Sequence, residues 1–387
     1  MRFSNFTNAW SIFELKDLVK FGLGLTHTPT YKDSGVAFIS SKNISGDKLD
    51  LTDINYVSLE EYSKMSSSVK PQKGDILFTR VGSNLGHPVI YDGNIEIAIF
   101  VSLGYLRCNN QVSNCFIKHW MNSNRFWSQV KEKVGGSSKF NLNTGWISKF
   151  TIGIPNLEEQ TKISFLLNKI DERIETQNKI IEDLITLRNQ INNVFFDSLN
   201  TCVRFSELYT FASEGGTPDT SKGEYYLNGK IPFIKIENLY EKYLLSSNSF
   251  ISESGLRNSS AWLVPKESIL LSNGATIGET TILKMDATTK QGILGIIPKK
   301  PYDSEILYYL FKSRRFAKTL KRITTKGTME AAYLKDLNKE KVFLSCDENM
   351  NSHVTLMSLI DKRINVERQI AHLLVIEKQY LLGNLFI

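Results

Sequence analysis

Two segments of the chain carry apolar residues at alternating spacings of three and four positions for more than four heptads. The series begins with Leu167 and Ile170 in the first segment and with Met357 and Ile360 in the second. No Pro interrupts either series, and the only Gly within them is Gly383, near the end of the second. The pattern predicts two long helices, each with a coiled-coil seam.

The two helical segments resemble each other at an offset of 190 residues. Three blocks recur in the same order in both halves: FISSKNI at 38–44 and FIKIENL at 233–239, KGDILFTRVGSNLG at 73–86 and KESILLSNGATIG at 266–278, and KIDERI at 169–174 and LIDKRI at 359–364. This order indicates a duplicated unit that consists of one domain followed by one helix.

The duplication predicts four segments: a first globular domain at 1–155, a central helix at 156–199, a second globular domain at 200–344 and a C-terminal helix at 345–387. We predict an α+β (mixed α/β) fold in which two similar domains alternate with two long helices. We expect these helices to pair as an antiparallel coiled coil. The alternative is that each helix packs only on its own domain.

Polar residues interrupt the two seams at equivalent positions and predict how the helices pair. Antiparallel pairing would place Arg188 near Glu367 and Gln177 near Lys378, and such polar pairs usually fix register.

A helix of about 33 residues is roughly 50 Å long, which exceeds one turn of DNA at about 34–36 Å. A helix pair of this length could therefore hold two domains against one duplex.

Each globular segment has short β-rich runs, then an amphipathic helix and a Gly-containing loop. The predicted strands are 36–39, 75–79, 89–91 and 96–101 in the first domain, and 231–236, 268–272, 280–283 and 292–297 in the second. The predicted helices are 117–133 and 303–323, and the loops that follow are 135–141 and 324–329.

Charge favours a polyanionic partner without requiring one. The 387 residues carry a net charge of +7, and the two helical segments hold more acidic than basic residues, so the positive excess lies on the globular segments. Six basic residues crowd the second amphipathic helix, where a solvated face is the alternative: Lys312, Arg314, Arg315, Lys318, Lys321 and Arg322.

Four cysteines, no signal peptide and no membrane-spanning apolar stretch favour a cytoplasmic protein that binds no membrane.

The chain lacks the motifs of the enzymes that act on DNA. It has no Pro-Pro pair for an amino-methyltransferase motif, no phosphate-binding loop around Gly229-Lys230, and no Asp/Glu-x-Lys after Pro218-Asp219 for a nuclease. Cys108, Cys115 and His119 are spaced too loosely for a zinc site, and buried free cysteines are the better interpretation. We expect a binding protein with neither catalytic residues nor a metal site.

Two sequence motifs resemble a known family. Arg2-Phe3-x-x-Phe6-x-x-x-Trp10 and Ile154-Pro155-x-Leu157-x-Glu159-Gln160-x-Lys162-Ile163, with two domains alternating with two helices, resemble the DNA-specificity (S) subunit of type I restriction–modification systems. The resemblance covers essentially the whole chain. It implies a non-catalytic subunit in which each target-recognition domain reads one half of a bipartite site in double-stranded DNA.

The resemblance also implies partners and cofactors. The helices would set the spacer and dock two modification (methyltransferase) subunits, which bring S-adenosylmethionine and methylate adenine. Restriction/translocase subunits would add ATP- and Mg-dependent cleavage, and this chain would bind no cofactor itself. The expected partner-binding and helix-pairing residues are Leu157, Glu159, Gln160, Ile170, Ile174, Arg188, Ile360, Ile364 and Glu367.

The second helix departs from the family pattern. Ser345-Cys346-Asp347-Glu348-Asn349-Met350 stands where a second Pro-x-Leu-x-Glu-Gln is expected, so the two helix starts need not dock partners equally. The first motif also has a purely structural interpretation. Pro155 would end the preceding strand, and Glu158 and Glu159 are favourable at a helix N-terminus.

Two loops in each domain are candidates for DNA reading. Arginine pairs bidentately with guanine and asparagine with adenine, Gly lets the backbone approach closely, and Lys more often contacts phosphate. The expected DNA-binding residues are Arg80, Ser83, Asn84, Ser138, Lys139, Asn141, Asn273, Thr276, Lys326 and Thr328. Ordinary Gly-containing turns are the alternative interpretation.

Two other functions compete with the specificity subunit. A stand-alone DNA-binding regulator with duplicated domains would bind DNA without a methyltransferase. A nuclease or transferase built from distant residues would show turnover alone, which the missing motifs disfavour. The sequence determines neither the bases read, nor the spacer length, nor the presence of a cleaving subunit.

Overall fold

The chain folds into two compact units, each of which contains one globular domain and parts of both long helices. The computed structural model describes residues 3–46, 48–82, 85–134, 141–274, 276–324 and 330–386. The first unit comprises Met1–Asn178 and Gln369–Ile387, and the second comprises Lys179–Arg368. The boundary between the units falls inside each long helix, so the units do not test the predicted limits of the four segments. Those limits stay a prediction.

The first unit is built on a four-stranded antiparallel sheet in the order β2-β10-β7-β8 and a smaller sheet in the order β6-β3-β9. Its strands are β1 (Ser11–Glu14), β2 (Val19–Leu23), β3 (Val36–Ile39), β4 (Ile44–Ser45), β5 (Lys48–Leu49), β6 (Asn55–Val57), β7 (Ile76–Thr79), β8 (Pro88–Ile90), β9 (Ile97–Ile99), β10 (Leu103–Cys108) and β11 (Thr151–Ile154). Its helices are α1 (Leu15–Leu18), α2 (Leu59–Lys64), α3 (Asn114–Met121), α4 (Asn124–Val134), α5 (Thr144–Ile147) and the first part of α6 (Leu157–Ser198).

The second unit repeats this plan with a five-stranded sheet in the order β13-β20-β17-β18-β15 and a smaller sheet in the order β16-β14-β19. Its strands are β12 (Cys202–Arg204), β13 (Tyr209–Glu214), β14 (Ile231–Ile234), β15 (Tyr243–Leu244), β16 (Phe250–Ile251), β17 (Ile269–Ser272), β18 (Thr280–Leu283), β19 (Thr288–Thr289), β20 (Ile293–Pro298) and β21 (Lys341–Phe343). Its helices are α7 (Glu253–Arg257), α8 (Ser304–Phe311), α9 (Arg314–Ile323), α10 (Leu334–Leu337) and the first part of α11 (Glu348–Leu385).

The strand orders confirm the predicted α+β fold with two similar domains. In the first unit β3 pairs in parallel with β9, and in the second β14 pairs in parallel with β19. The strands at the domain ends also pair equivalently, β1 with β11 and β12 with β21. The central strands β7 and β17 are buried along their whole length, and each contains three consecutive apolar residues followed by a buried hydroxyl residue.

Each unit has a main core shared by its larger sheet, its paired short helices and both long helices. The first core contains Phe78, Trp120 and Leu167 together with Leu385 of α11. The second contains Leu271 and Tyr309 together with Phe196 of α6 and Met357 of α11. Each long helix therefore packs on both domains, which rules out the alternative that each helix serves only its own domain.

The long helices run antiparallel in each unit. In the second unit, Arg188 contacts Asp361 at 2.8 Å, and Asn192, further along α6, contacts His353, earlier in α11, at 3.0 Å. In the first unit, Asp171 contacts Lys378 at 2.6 Å. Leu167, which precedes Asp171 in α6, shares a core with Leu385, which follows Lys378 in α11. The predicted antiparallel pairing is confirmed.

The predicted register of that pairing is wrong by six residues. Arg188 was expected beside Glu367 but pairs with Asp361. Lys378 was expected beside Gln177, whereas its ion pair is with Asp171, six residues earlier. The physical reason is charge: the predicted register gives a carboxylate to Arg188 alone and a neutral amide to Lys378, whereas in the observed register both basic residues meet a carboxylate at 2.8 Å or less.

A serine divides each predicted amphipathic helix into two. The first helix breaks between α3 and α4, where Ser123 Oγ donates to Trp120 O at 2.6 Å. The second breaks between α8 and α9, where Ser313 Oγ donates to Leu310 O at 2.6 Å and accepts from Phe316 N at 3.2 Å. A serine hydroxyl can thus end one helix and cap the next.

The remaining elements differ from the sequence prediction mainly at their ends. The run at 96–101 forms the short strand β9, and β10, directly after it, was not predicted. Among the described residues, no helix combines the length and the apolar character that crossing a bilayer requires.

Candidate nucleic-acid interface and helix surface

In the first unit, the two candidate DNA-reading loops lie side by side. Val81, just after β7, forms a β-bridge with Asn141, the last residue of the second candidate loop. Leu142 N donates to Arg80 O at 2.9 Å, and Arg80 Nε donates to Leu142 O at 3.2 Å. The loops are therefore fixed to each other through Arg80.

Arg80 is a buried anchor in this structure, since only 9% of its surface is exposed. Its Nη1 donates to Val101 O at 3.1 Å, and its own N donates to Ser102 O at 2.8 Å. Burial lowers the pKa of the guanidinium. Donors that a bidentate base contact would use are thus directed to backbone carbonyls, and the geometry places Arg80 as a residue that holds three loops together.

Asn273 occupies the position of Arg80 in the second unit. Its N donates to Gly292 O at 2.9 Å, and its O accepts from Ala332 N at 3.0 Å, which matches the backbone bonds of Arg80 to Ser102 and Leu142. Asn273 is also buried, and among the described residues its Oδ1 has no hydrogen-bond partner. A buried amide oxygen that is left without a hydrogen bond is costly.

The sequence analysis missed the residues that gather around Asn273. Gly292 N donates to Glu214 Oε1 at 2.8 Å, and Gln291 N donates to Thr217 Oγ1 at 3.3 Å. The end of β13, the end of β17 and the start of β20 therefore share one corner of the sheet. The pairing of β13 with β20 produces this corner, and the only sequence signal for it was the Gly-Gly-Thr-Pro turn at 215–218.

The other expected DNA-binding residues divide into two groups. Asn141 and Thr276 are exposed on their loops, as a base or phosphate contact requires. The following lie outside the described residues: Ser83, Asn84, Ser138, Lys139, Lys326 and Thr328.

Most of the basic residues at 312–322 bond within the protein. Lys312 pairs with Glu279 at 3.0 Å, Arg314 with Asp197, and Arg322 with Glu340. Arg315 donates from Nη1 to two carbonyls of α6 and its C-terminal end, and its guanidinium lies 3.1 Å from the centre of the Phe343 ring. Lys318 and Lys321 are exposed and have no ion-pair partner among the described residues, so these two remain available to a polyanion.

The Pro-x-Leu-x-Glu-Gln motif forms the capped start of α6. Asn156 Oδ1 accepts from Glu159 N at 2.9 Å, as an N-cap does. Gln160 is fully buried: its Oε1 accepts from Ser113 N at 2.8 Å, and its Nε2 donates to Gln111 O and Pro155 O at 3.1 and 3.0 Å. Glu159 is also buried, so of the three expected partner contacts only Leu157 is exposed.

The remaining helix residues mostly lie within the packed interior. Ile170 belongs to the first core and Ile174 packs against it, while Ile360 packs against the second core. Ile364 and Glu367 are buried on α11, and Glu367 forms an ion pair with Arg363. The roles predicted for these residues in partner binding and helix pairing stay a prediction.

A polar network surrounds Asp361 in the second unit. Besides Arg188, the Asp361 carboxylate accepts from Tyr309 OH at 2.6 Å and lies 3.4 Å from Lys242 Nζ. Lys242 Nζ also contacts Glu305 at 2.7 Å. Burial and the adjacent Asp361 raise the pKa of Tyr309, so its hydroxyl stays protonated as a donor.

The equivalent position in the first unit has different chemistry. Asp171 pairs with Lys378 and lies 3.9 Å from Lys118. Beside it, His119 Nε2 and Asn168 Oδ1 are 2.8 Å apart, and burial lowers the pKa of His119 to about 4. Cys115 and Cys108 are free thiols, and burial raises the pKa of Cys108 to about 12.

The chain contains two similar α+β domains on paired antiparallel helices, and each domain gathers polar loops at a corner of its sheet. This arrangement defines a duplicated recognition protein. The family model for the type I restriction modification DNA specificity domain matches residues 8–185 and again 200–375. The chain belongs to this family.

Relatives and solved structures agree with this assignment. The chain is 25% identical to the MjaX specificity subunit of Methanocaldococcus jannaschii, named as a type I restriction enzyme subunit, over 93% of this chain and 88% of the relative. A chain from a structural study of complex assembly and conformational transition of the type I R-M system has a TM-score of 0.65 at 16% identity, with 97% of both chains covered. The type I restriction-modification system S subunit from M. genitalium has a TM-score of 0.55 at 15% identity, with 100% of this chain and 99% of that chain covered.

Proposed function

We propose that this chain is the sequence-specific DNA-binding subunit of a type I restriction–modification complex and has no catalytic activity of its own. The observation that carries the proposal is the double match to the specificity domain, one match over each half of a chain that is duplicated in sequence and in strand order. Two domains of one fold with different loops suit a bipartite site in double-stranded DNA, in which each domain reads one half.

The loops at the sheet corners are the proposed reading surface. Asn141 is exposed in the first unit, and Thr276 and Gln291 are exposed in the second. Arg80 and Asn273 act in this proposal as positioning residues, because both are buried and bond through their backbone to the loops on either side. Base contacts by residues outside the described ranges remain part of the proposal.

The paired helices are the proposed spacer and the docking surface for two modification subunits. Both long helices pack on both domains, so a change in helix length would alter how far apart the two domains are held. The modification subunits would carry S-adenosylmethionine and methylate adenine, and restriction subunits would supply ATP- and Mg-dependent cleavage. We place none of these cofactors on this chain.

The test is base-resolution mapping of adenine methylation in cells that express this chain together with its modification subunit. The expected result is a split motif with a fixed spacer that is absent without this chain. Exchanging residues 200–344 for the corresponding domain of another specificity subunit should change one half of the motif and leave the other half intact.

Two outcomes would contradict the proposal. DNA binding by the purified chain with no methylation after co-expression would favour a stand-alone regulator. A motif in which both halves change after exchange of one domain would contradict the assignment of one half-site to each domain.

A further inference from the structure

The second unit contains a cleft between four elements that the DNA-reading loops do not use. Its volume is about 670 Å³. Its walls come from α6, from the segment that leads into β15, from the break between α8 and α9, and from α11. A volume of this size accommodates several side chains of another polypeptide.

Cationic residues outnumber acidic residues in the lining of the cleft. Six cationic residues line it against the two acidic residues Glu241 and Asp361: Arg188, Lys242, Lys312, Arg314, Lys362 and Arg368. Arg188 and Lys242 are held by Asp361 inside the cleft, whereas Lys362 is exposed and has no ion-pair partner among the described residues. Arg368 reaches only Glu241, at 3.8 Å. Lys312 and Arg314 pair with Glu279 and Asp197. The cations available to a partner are therefore Lys362 and, beyond its long contact, Arg368, both on α11.

The duplicated fold does not itself require this charge. At the offset of 190 residues, Lys362 corresponds to Glu172, and Arg368 corresponds to Asn178. Likewise Lys312 and Arg314 correspond to Asn122 and Asn124, and Asn365 corresponds to Glu175. In the first unit Glu172 pairs with Lys169 and Glu175 with Lys48, so the equivalent surface is acidic and internally paired. The positive cleft is particular to the second unit.

The geometry points to a docking site for an acidic segment of the modification subunit, and this inference rests on the proposed function. Tyr240 and Leu245 stand at the cleft, 66% and 75% exposed, and offer apolar anchors beside the cations. An acidic amphipathic segment would use both features, because its carboxylates would pair with Lys362 and Arg368 while its apolar side chains cover Tyr240 and Leu245.

A nucleic acid backbone fits the cleft less well. Its phosphates and the carboxylates of a polypeptide would meet the same charges, so the apolar residues of the lining decide between the two. DNA backbone contacts make little use of exposed apolar side chains such as Leu245. An acidic polypeptide is therefore the occupant that the lining favours.

The test compares Lys362→Glu with Lys179→Glu in the full chain. Lys179 is exposed on α6, has no ion-pair partner among the described residues and does not line the cleft, so it provides the same charge change elsewhere. Binding of the purified modification subunit to each variant is measured by biolayer interferometry at two salt concentrations. Binding of a duplex that contains the methylated motif is measured in parallel.

We expect Lys362→Glu to weaken binding of the modification subunit by about fivefold or more at low salt, with a smaller effect at high salt, because a charge at the rim of an interface acts through screened attraction. Lys179→Glu should change binding less than about twofold. Tyr240→Ala should weaken binding independently of salt.

Equal binding by both charge variants would overturn the inference while leaving the proposed function intact, since the wild-type chain still binds the subunit. Loss of duplex binding by Lys362→Glu with unchanged subunit binding would also overturn it and would identify a phosphate surface. Failure of the wild-type chain to bind the modification subunit would instead contradict the proposed function.

Discussion

Arg188 of α6 and Asp361 of α11 form an ion pair at 2.8 Å in the second unit. Its counterpart in the first unit joins Lys378 of α11 to Asp171 of α6 at 2.6 Å. The two pairs occupy equivalent positions in the duplicated sequence, with the cation and the carboxylate exchanged between the helices. One charge pattern, used twice, therefore sets the register of the antiparallel helices in both units.

Removal of the Asp361 carboxylate should destabilise the second unit. Asp361→Asn leaves Arg188 without a carboxylate and Lys242 with Glu305 alone, and an unpaired cation in a partly buried site costs about 2 to 4 kcal/mol. Urea denaturation of the full chain measures the effect. Asp183→Asn, an exposed change on α6, is the control, and equal stability of the two variants would contradict the role of Asp361.

Gln160 tests whether the motif at the start of α6 is structural. Gln160→Ala should lower the free energy of unfolding by about 2 to 3 kcal/mol, because it leaves buried backbone groups of Ser113, Gln111 and Pro155 without their partner. Gln190→Ala, at an exposed position of the same helix, should be nearly neutral. Unchanged stability with loss of modification-subunit binding would instead favour a direct docking contact.

Arg80 tests whether one buried side chain organises the reading loops of the first domain. Arg80→Ala removes bonds to Leu142 O and Val101 O and should cost about 1 to 3 kcal/mol of stability. It should also relax the methylation motif in one half-site only. Asn141→Ala, at an exposed neighbour, should affect recognition without that loss of stability. Relaxed specificity in Arg80→Ala at full stability would point to a direct base contact.

His353 should make the stability of the protein depend on pH. Its ring stacks on Phe195 with centroids 3.9 Å apart, and its Nε2 lies 3.0 Å from Asn192 Oδ1. Since Asn192 Nδ2 donates to Tyr309 O, Oδ1 accepts and Nε2 carries the proton. Burial lowers the pKa of His353 to about 4 from its ordinary value of 6.5, so the folded state disfavours the charged ring.

The stability that neutral His353 supports is complete above pH 6.5 and is lost as pH falls towards 4, by about 3 kcal/mol at most. His353→Gln keeps a donor for Asn192 but does not titrate, so its unfolding free energy should fall less steeply between pH 7 and pH 4. Denaturation at several pH values measures the slope. His372→Gln, at an exposed position of α11, controls for general acid effects.

If the helix pair sets the distance between the two half-sites, lengthening both helices together should change the spacer of the DNA motif. One heptad inserted between Asn178 and Lys179 and another between Arg368 and Gln369 would lengthen both helices at the boundary of the units. The expected result is a methylation motif whose spacer is longer by about three base pairs, since seven residues span about 10 Å. An insertion in α6 alone should disrupt pairing, and an unchanged spacer in the double insertion would contradict the spacer role.

The sequence by itself determined the features that depend on short-range pattern. The heptads predicted the two long helices, the offset of 190 residues predicted the duplication, and short β-rich runs predicted β7 and β17. Each of these follows from periodicity and burial, which neighbouring positions along the chain record directly.

Tertiary structure alone decided which polar residues meet and which are buried. Arg188 could have paired with Glu367 by seam position, and only the packed helices bring it to Asp361. The sequence analysis expected Arg80 to contact DNA and Gln160 to contact a partner subunit, yet the fold directs both to buried backbone groups. A polar side chain gives the same sequence signal on a surface as in the interior, because its partners come from distant segments that only the fold brings together.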